Sequence, residues 1–188
     1  MKSARAAFAV VLFLLIGVVP ADARKRDHTH DAEGLRIYEV PTDAMAPTIR
    51  AGDKILVNER AYMLDQPGRG DVIVYRSPVD GQATLVKRII GLPGETIEIQ
   101  HKKVTIDGRE LVEAYVVHSD PVDYTGTDSP NRTRDSFGPI TLKAGEYFVL
   151  GDNRDASIDS RQHGPVVLGL IHAKVIRVRR GETIKEVK

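Results

Sequence analysis

The sequence predicts a mainly β domain, an antiparallel sheet curling toward a barrel, with one apolar helix ahead of it. Short runs rich in Ile, Val and Tyr recur from residue 35 onward, and Gly, Pro and Asp turn signals separate them. Nothing between the runs is patterned as the crossover helices of a parallel sheet.

The expected strands are Leu35–Val40, Lys54–Val57, Asp71–Tyr75, Leu85–Ile90, Thr96–Gln100 and Lys103–Ile106. Turn signals at Ala51-Gly52-Asp53, Pro67 to Asp71, Leu92-Pro93-Gly94 and Asp107-Gly108 divide them, and Lys103 to Leu111 reads as a hairpin turning at Asp-Gly. Residues 113–138 form the irregular part, a small inserted loop or hairpin region expected to be an exposed excursion. Its Asn131-Arg132-Thr133 fits a glycosylation sequon, a match that polar loops also produce by chance. Gly145–Leu150 reads as a strand leading into a polar loop, Val166–Leu168 and Ala173–Val178 as closing strands, and 181–188 as a charged tail. One β domain over 35–180 follows.

The N-terminus has a different character. Lys2 and Arg5 precede an unbroken apolar stretch, Ala6 to Val19, which Pro20 ends before Ala21-Asp22-Ala23, a small-x-small cleavage pattern. Fourteen helical residues span only about 21 Å, short of the ~30 Å hydrocarbon core. The stretch from 1 to 23 therefore reads as a cleavable secretory signal. The rival is a short retained anchor eased by Arg24-Lys25-Arg26 snorkelling. Both put the domain outside the cytoplasm. Residues 24–34 are a charged linker whose His28 and His30 offer no more than an adventitious metal site, so no metal or cofactor is expected.

With 188 residues the chain is long enough to bury a real core. Its net charge of +1 and the absence of any basic stripe speak against a nucleic-acid partner. The lack of cysteine excludes disulfides, a thiol nucleophile and a thiolate zinc site.

Three stretches concentrate chemistry. Val40-Pro41-Thr42-Asp43-Ala44-Met45-Ala46-Pro47-Thr48 reads as a tight, Pro-bounded turn; Lys87 stands between the apolar runs Leu85-Val86 and Ile89-Ile90; and Gly151 to Arg161 is a loop dense in Asp, Arg and Ser. Alone, Lys87 is a surface charge beside Arg88, and the loop is a solvated network of pairs and caps.

Together and in this order they resemble the type I signal peptidases of the S26 serine/lysine-dyad family. The residues that carry the resemblance are Pro41 to Thr48, the run Lys87-Arg88-Ile89-Ile90-Gly91-Leu92-Pro93-Gly94-Glu95, and Gly151-Asp152-Asn153-Arg154-Asp155-Ala156-Ser157-Ile158-Asp159-Ser160-Arg161. Gly52-Asp53 and Gly70-Asp71 fall where that family has turns, and the likeness extends over about Val40 to Val175.

The resemblance implies a signal-peptidase-type β fold and a serine-type endopeptidase that cuts exported proteins after small-x-small sites. Lys87 would be the general base, which requires its amine to be destabilised by about 4–5 kcal/mol through burial. Met45 and Val149 would line its pocket, and the Ser157 hydroxyl would hydrogen-bond and orient the amine. Thr42 and the N–H at position 44 would form the oxyanion hole. Asp43, Met45 and Leu85 would meet the substrate, and Arg88, Asp152, Arg154, Asp159 and Arg161 would form a structural network. Partners would be signal-peptide segments and the membrane.

The nucleophile position, however, is Ala44. Losing a protease's nucleophile lowers turnover by about 10⁶, roughly 8 kcal/mol of barrier. Asp43 also departs from the small residue the family favours, and its charge could crowd a substrate or raise the pKa of Lys87. The chain as written is expected to be inactive or strongly impaired. Three alternatives stay open: an active peptidase whose serine was exchanged for alanine by design, one using Thr42 (a hydroxyl about 6–7 Å from position 44), and a non-enzymatic peptide-binding β module.

Overall fold

The computed structural model describes residues 34–124 and 132–187 of the chain. The expected N-terminal helix, His28, His30 and Asn131 lie outside the described residues. Among the described residues twelve strands form two antiparallel sheets, in agreement with the mainly β expectation.

In chain order the strands are β1 (Leu35–Glu39), β2 (Lys54–Asn58), β3 (Val72–Arg76), β4 (Thr84–Gly91), β5 (Thr96–Gln100), β6 (Lys103–Ile106), β7 (Arg109–Glu110), β8 (Phe137–Thr141), β9 (Glu146–Leu150), β10 (Val166–Val167), β11 (Ile171–Arg180) and β12 (Thr183–Glu186). Two single-turn α-helices, α1 (Arg132–Asp135) and α2 (Ser160–His163), and two 3-10 turns, Arg154–Ala156 and Leu168–Leu170, complete the described part. The larger sheet runs β1-β2-β11-β3-β4-β9-β10 with β12 on β11, and the smaller runs β7-β6-β5-β8.

Burial follows side-chain parity. β3 lies mid-sheet and is covered on both faces, which is why four consecutive large side chains, Val72 to Tyr75, could be spent on it. Val72 and Val74 join a core with Met45, Ile49, Ile55, Val57 and Val175. Ile73 and Tyr75 face the other way, into a core with Ile89, Tyr147, Val149 and Val166. The smaller sheet lays Ile97, Ile99, Val104 and Ile106 against Ile90, Phe148 and Leu150 of the larger one. The expected hairpin turns at Asp107 and Gly108, with φ of 50° and 75°, and pairs Ile106 with Arg109. Both central residues thus have the positive φ that a two-residue hairpin turn needs.

Two strands lie where the sequence showed none. β8 begins in the irregular stretch and pairs with β5; its Phe-Gly-Pro-Ile-Thr sequence breaks the β pattern with Gly138 and Pro139. β12 forms within the charged tail because it pairs with β11, while all four of its residues stay exposed. Among the described residues no helix is long and apolar enough to cross a membrane.

The larger sheet is strongly curled. β1 and β4 are separated by three strands in sheet order, yet Arg36 and Tyr38 of β1 line the same cleft as Thr84 of β4. At about 4.8 Å per strand a flat sheet would hold them some 19 Å apart.

Candidate active site

The turn after β1 is pinned at both ends. The Val40 N–H donates to the Asp53 carbonyl (2.9 Å) and Gly52 N–H returns to the Val40 carbonyl (2.8 Å), while Met45 and Ile49 are sunk in the core. Ala46 N–H donates to the Asp43 carbonyl and Ile49 N–H to the Met45 carbonyl, so the backbone around Ala44 is tightly folded. Asp53 accepts Arg180 and the Arg50 N–H, which ties the turn to β11. Among the described residues neither the Ala44 N–H nor the Thr42 hydroxyl makes a hydrogen bond.

The polar loop leaves β9 at Gly151 and is organised by two buried carboxylates. Asp159 accepts the Gly151 N–H (3.1 Å), holds Arg161 through both oxygens (2.9 and 2.8 Å) and caps α2 together with Gln162. Arg161 spends its other donors on the carbonyls of Arg134 and Arg154. Desolvation works against the Asp159 carboxylate, but Arg161 and the Gly151 N–H outweigh it, so its pKa is lowered. Asp152 accepts a fork from Arg88 (2.9 and 2.8 Å) and the Thr48 hydroxyl (2.5 Å). That single carboxylate therefore joins the turn, β4 and the loop. Asn153 adds its N–H to the Ala44 carbonyl (3.2 Å) and its side-chain amide to the Asp43 carbonyl (3.4 Å).

Gly151 is required where these pieces meet. A Cβ there would fall 2.3 Å from Ser157 Oγ and 2.4 Å from the Ala44 carbonyl oxygen, closer than atoms can pack. Residue 44, Gly151 and Ser157 are thus immediate neighbours.

Lys87 is 4% exposed and lies on the β4 face that carries Leu85 and Ile89, opposite Ile73 of β3. Its amine donates to the Val86 carbonyl at 3.0 Å. Burial, the largest cause, pulls its pKa from 10.5 to about 8; Asp159 and Asp152 oppose the shift and Arg161 adds to it. An amine so placed is close to half neutral near pH 8, which suits a general base.

The family model for signal peptidase, peptidase S26, matches residues 33–178. This chain belongs to the signal peptidase I family. It is 35% identical over 133 residues to signal peptidase I V of Bacillus subtilis, covering 69% of this chain and 76% of that protein. It is equally identical over 135 residues to signal peptidase I of Leptolyngbya laminosa (68% and 60%), and 34% identical over 156 residues to that of Pseudomonas aeruginosa (66% and 54%). The last two comparisons span little more than half of those relatives' length. A crystal structure of a signal peptidase I from Enterococcus faecalis aligns with a TM-score of 0.47 at 37% identity, covering 58% of this chain and 97% of that one.

Within this signal peptidase I family member, several expected placements hold and three change. Leu85 and Val149 lie with Lys87 on one face, and Arg88, Asp152, Arg154, Asp159 and Arg161 are buried in one continuous network. Met45 does not join the Lys87 face, because its side chain is taken up by the other core with Val40, Ile49 and Val72. The hydrogen bond expected from Ser157 to the Lys87 amine is absent. The buried Ser157 hydroxyl meets no partner at hydrogen-bonding geometry, and the amine donates to the Val86 carbonyl instead. Asp43 does not act on Lys87: its carboxylate accepts the Ala51 N–H (3.0 Å), and it is not among the charges that shift the amine.

Sequence reasoning also missed partners. Tyr115 stacks on the Arg88 guanidinium at 4.0 Å and Glu113 pairs with Arg154 at 2.5 Å. Both come from the irregular stretch, where no periodicity marks them.

Proposed function

We propose that this chain is an exported signal-peptidase-like protein that holds extended segments of exported proteins ending in small-x-small and, with Ala44 in place of the nucleophile, does not cut them. One observation carries this reading: Lys87 is buried and its amine depressed to about 8, as a base requires, while position 44 offers only a methyl group. Residues 1–23 would be the export signal or anchor that brings the domain to its substrates.

Two open strand edges support the peptide-holding part. Ile89 directs its N–H and C=O to Asp71 and Gly70, on the β3 side. By alternation Val86 and Thr84 direct theirs to the other side, where β9 pairs with β4 only from Arg88 onward. Val40 directs its groups to β2, so Glu39 and Ile37 on the edge strand β1 face outward. A peptide added between these edges would run past Lys87 and residue 44.

With serine at 44, Lys87 would take the hydroxyl proton as the oxygen attacks the scissile carbonyl, and would return it to the leaving amine. The N–H of residue 44 and the Thr42 hydroxyl would receive the oxyanion. As written, the same groups bind and orient a peptide without an attacking atom. Cleavage of an Ala-x-Ala peptide is the test. Ala44→Ser is expected to create cleavage, and adding Lys87→Ala to abolish it. No cleavage by Ala44→Ser sinks the intact-pocket reading. Cleavage by the chain as written, lost in Thr42→Ala, sinks the pseudoenzyme reading.

A further inference from the structure

His163 ends α2 on the face of the larger sheet that carries Lys87. Its ring meets Tyr75 of β3 edge-on, with centroids 5.9 Å apart and planes at 64°, and Nε2 lies 3.0 Å from the Tyr75 hydroxyl. Tyr75 pairs with Leu85 and Ile73 with Lys87, so Tyr75 stands diagonally across the strand pair from the base. Diagonal neighbours on one face are about 7–8 Å apart.

Two hydrogen bonds fix where the ring carries its proton. His163 Nδ1 lies 2.8 Å from the Gly164 carbonyl, an oxygen that only accepts, so Nδ1 is protonated. Nε2 then either accepts from the Tyr75 hydroxyl, in a neutral ring, or carries a second proton that faces the hydroxyl oxygen. In the second case the Tyr75 O–H must point elsewhere. Tyr75 is fully buried and has no other hydrogen-bond partner among the described residues, so its donor would be left without an acceptor, at a cost. Burial also pushes the phenol's pKa well above its ordinary value, so the hydroxyl keeps its proton. The neutral Nδ1–H ring, with Tyr75 donating to Nε2, is the state that satisfies every group.

The charges around the ring are Lys87 from β4 and Asp159 at the start of α2. Burial, the largest cause, holds the imidazole below its ordinary 6.5; the Gly164 carbonyl and Asp159 oppose the shift and the Lys87 ammonium adds to it. A helix of four residues does not stand alone, and α2 is held at both ends. Its first turn is fixed by the Asp159 cap and by the Ser160 hydroxyl, which accepts the Val149 N–H at 2.9 Å. Its last residue is fixed to β3 by Tyr75. Asp159 and Arg161 are two of the charges that set the Lys87 amine, so what holds α2 in place also holds them.

We propose that His163 is a positioning residue for Lys87: as the neutral Nδ1–H tautomer it accepts the Tyr75 hydroxyl and fastens α2, with Asp159 and Arg161, beside the base, and a proton on Nε2 undoes the fastening. The role rests on the reading of Lys87 as a general base. The unfolded ring takes its proton near pH 6.5 and the folded ring at lower pH. The contact's contribution to stability is therefore complete above 6.5 and is lost as pH falls from there through the folded value.

The fastening is tested on the chain as written, without any need for activity. Ring-nitrogen NMR at pH 7.5 should show His163 protonated at Nδ1 and bare at Nε2. Amide exchange at Gln162, His163 and Gly164, corrected for its intrinsic pH dependence, should accelerate about tenfold between pH 7.5 and 5. His163→Gln offers Tyr75 an acceptor that takes no proton and should remove that acceleration; Tyr75→Phe should exchange fast at both pH values. The positioning role is tested in the Ala44→Ser variant. Below pH 8 its kcat/KM should fall about tenfold per pH unit through Lys87, with a further drop of about tenfold as His163 is protonated. Adding His163→Gln should abolish the further drop alone. A ring bare at Nδ1, or exchange in α2 with no acid acceleration, overturns the fastening. The expected ring and exchange without the further drop in kcat/KM reduce it to a structural contact and overturn the positioning role. Absence of cleavage by Ala44→Ser at every pH overturns the reading of Lys87 as a base, and the positioning role with it, while the NMR and exchange results still decide the Tyr75–His163 contact.

Discussion

Lys87 owes its lowered pKa to its neighbours in β4 and β3, and this has consequences at two levels. For catalysis in the Ala44→Ser variant, only the neutral amine can accept a proton, and at a pKa of about 8 it is roughly a tenth neutral at pH 7. The cleavage rate should therefore rise with pH and level off above about 8, as a pH–rate profile would show; a flat profile from pH 6 to 9 would exclude Lys87 as the base. For stability, the folded pKa lies below the unfolded value of about 10.5, so between pH 8 and 10.5 the unfolded chain binds more protons than the folded one. Stability should climb with pH across that window, and the cost of burying the ammonium should be fully present below it. Lys87→Met removes the ammonium while keeping the volume. It should stabilise the domain by about 3 kcal/mol at pH 7 and by little at pH 10.5, compared by urea melts at the two pH values.

At the scale of elements, Asp152 joins the turn, β4 and the polar loop. Arg88, Thr48 and Asp152 come from three separate parts of the chain, and both ionic side chains are only 1% exposed. Removing one partner leaves a buried charge without its counter-ion, which costs about 3–5 kcal/mol. Arg88→Met should destabilise by that amount in urea denaturation and should also loosen the turn at Ala44, because Thr48 is held through the same carboxylate. Arg88→Met combined with Asp152→Leu should recover much of the loss, since an apolar pair leaves no orphaned charge. Tyr115→Ala should cost less, about 1–2 kcal/mol, through the lost cation–π contact. An Arg88→Met variant as stable as the parent would show that Asp152 does not bind these elements together.

At the scale of the molecule, what was legible in the sequence was what is local. Alternating Ile and Val marked β2, β5 and β6, and the charged loop marked itself by density. The unbroken order of the three stretches marked the family to which the chain belongs. What was not legible depends on partners far along the chain: β8 is a strand because β5 binds it despite Gly138 and Pro139, and Tyr115 matters because Arg88 lies beneath it. That the Ser157 hydroxyl, packed close against Gly151, makes no bond to Lys87 likewise has no signature in residue type. The curl of the larger sheet is of the same kind, and it is what gives the open edges of β1 and β4 a common groove. A peptide added there should slow amide exchange at Thr84 and Val86 on one side and at Ile37 and Glu39 on the other. The amides of β5 and β6 in the smaller sheet should keep their rates, because that sheet takes no part in the added pairing. A peptide at 100 times its Kd should also stabilise the folded state by about 2.7 kcal/mol, read as a rise in Tm. Val86 is the most telling amide, because its carbonyl now accepts the Lys87 amine. A peptide strand needs that acceptor, so binding should displace the amine as it protects the Val86 N–H. Protection confined to the smaller sheet, or a Tm rise with no protection at Val86, would mean that peptides bind elsewhere and that the groove between β1 and β4 is not the binding site.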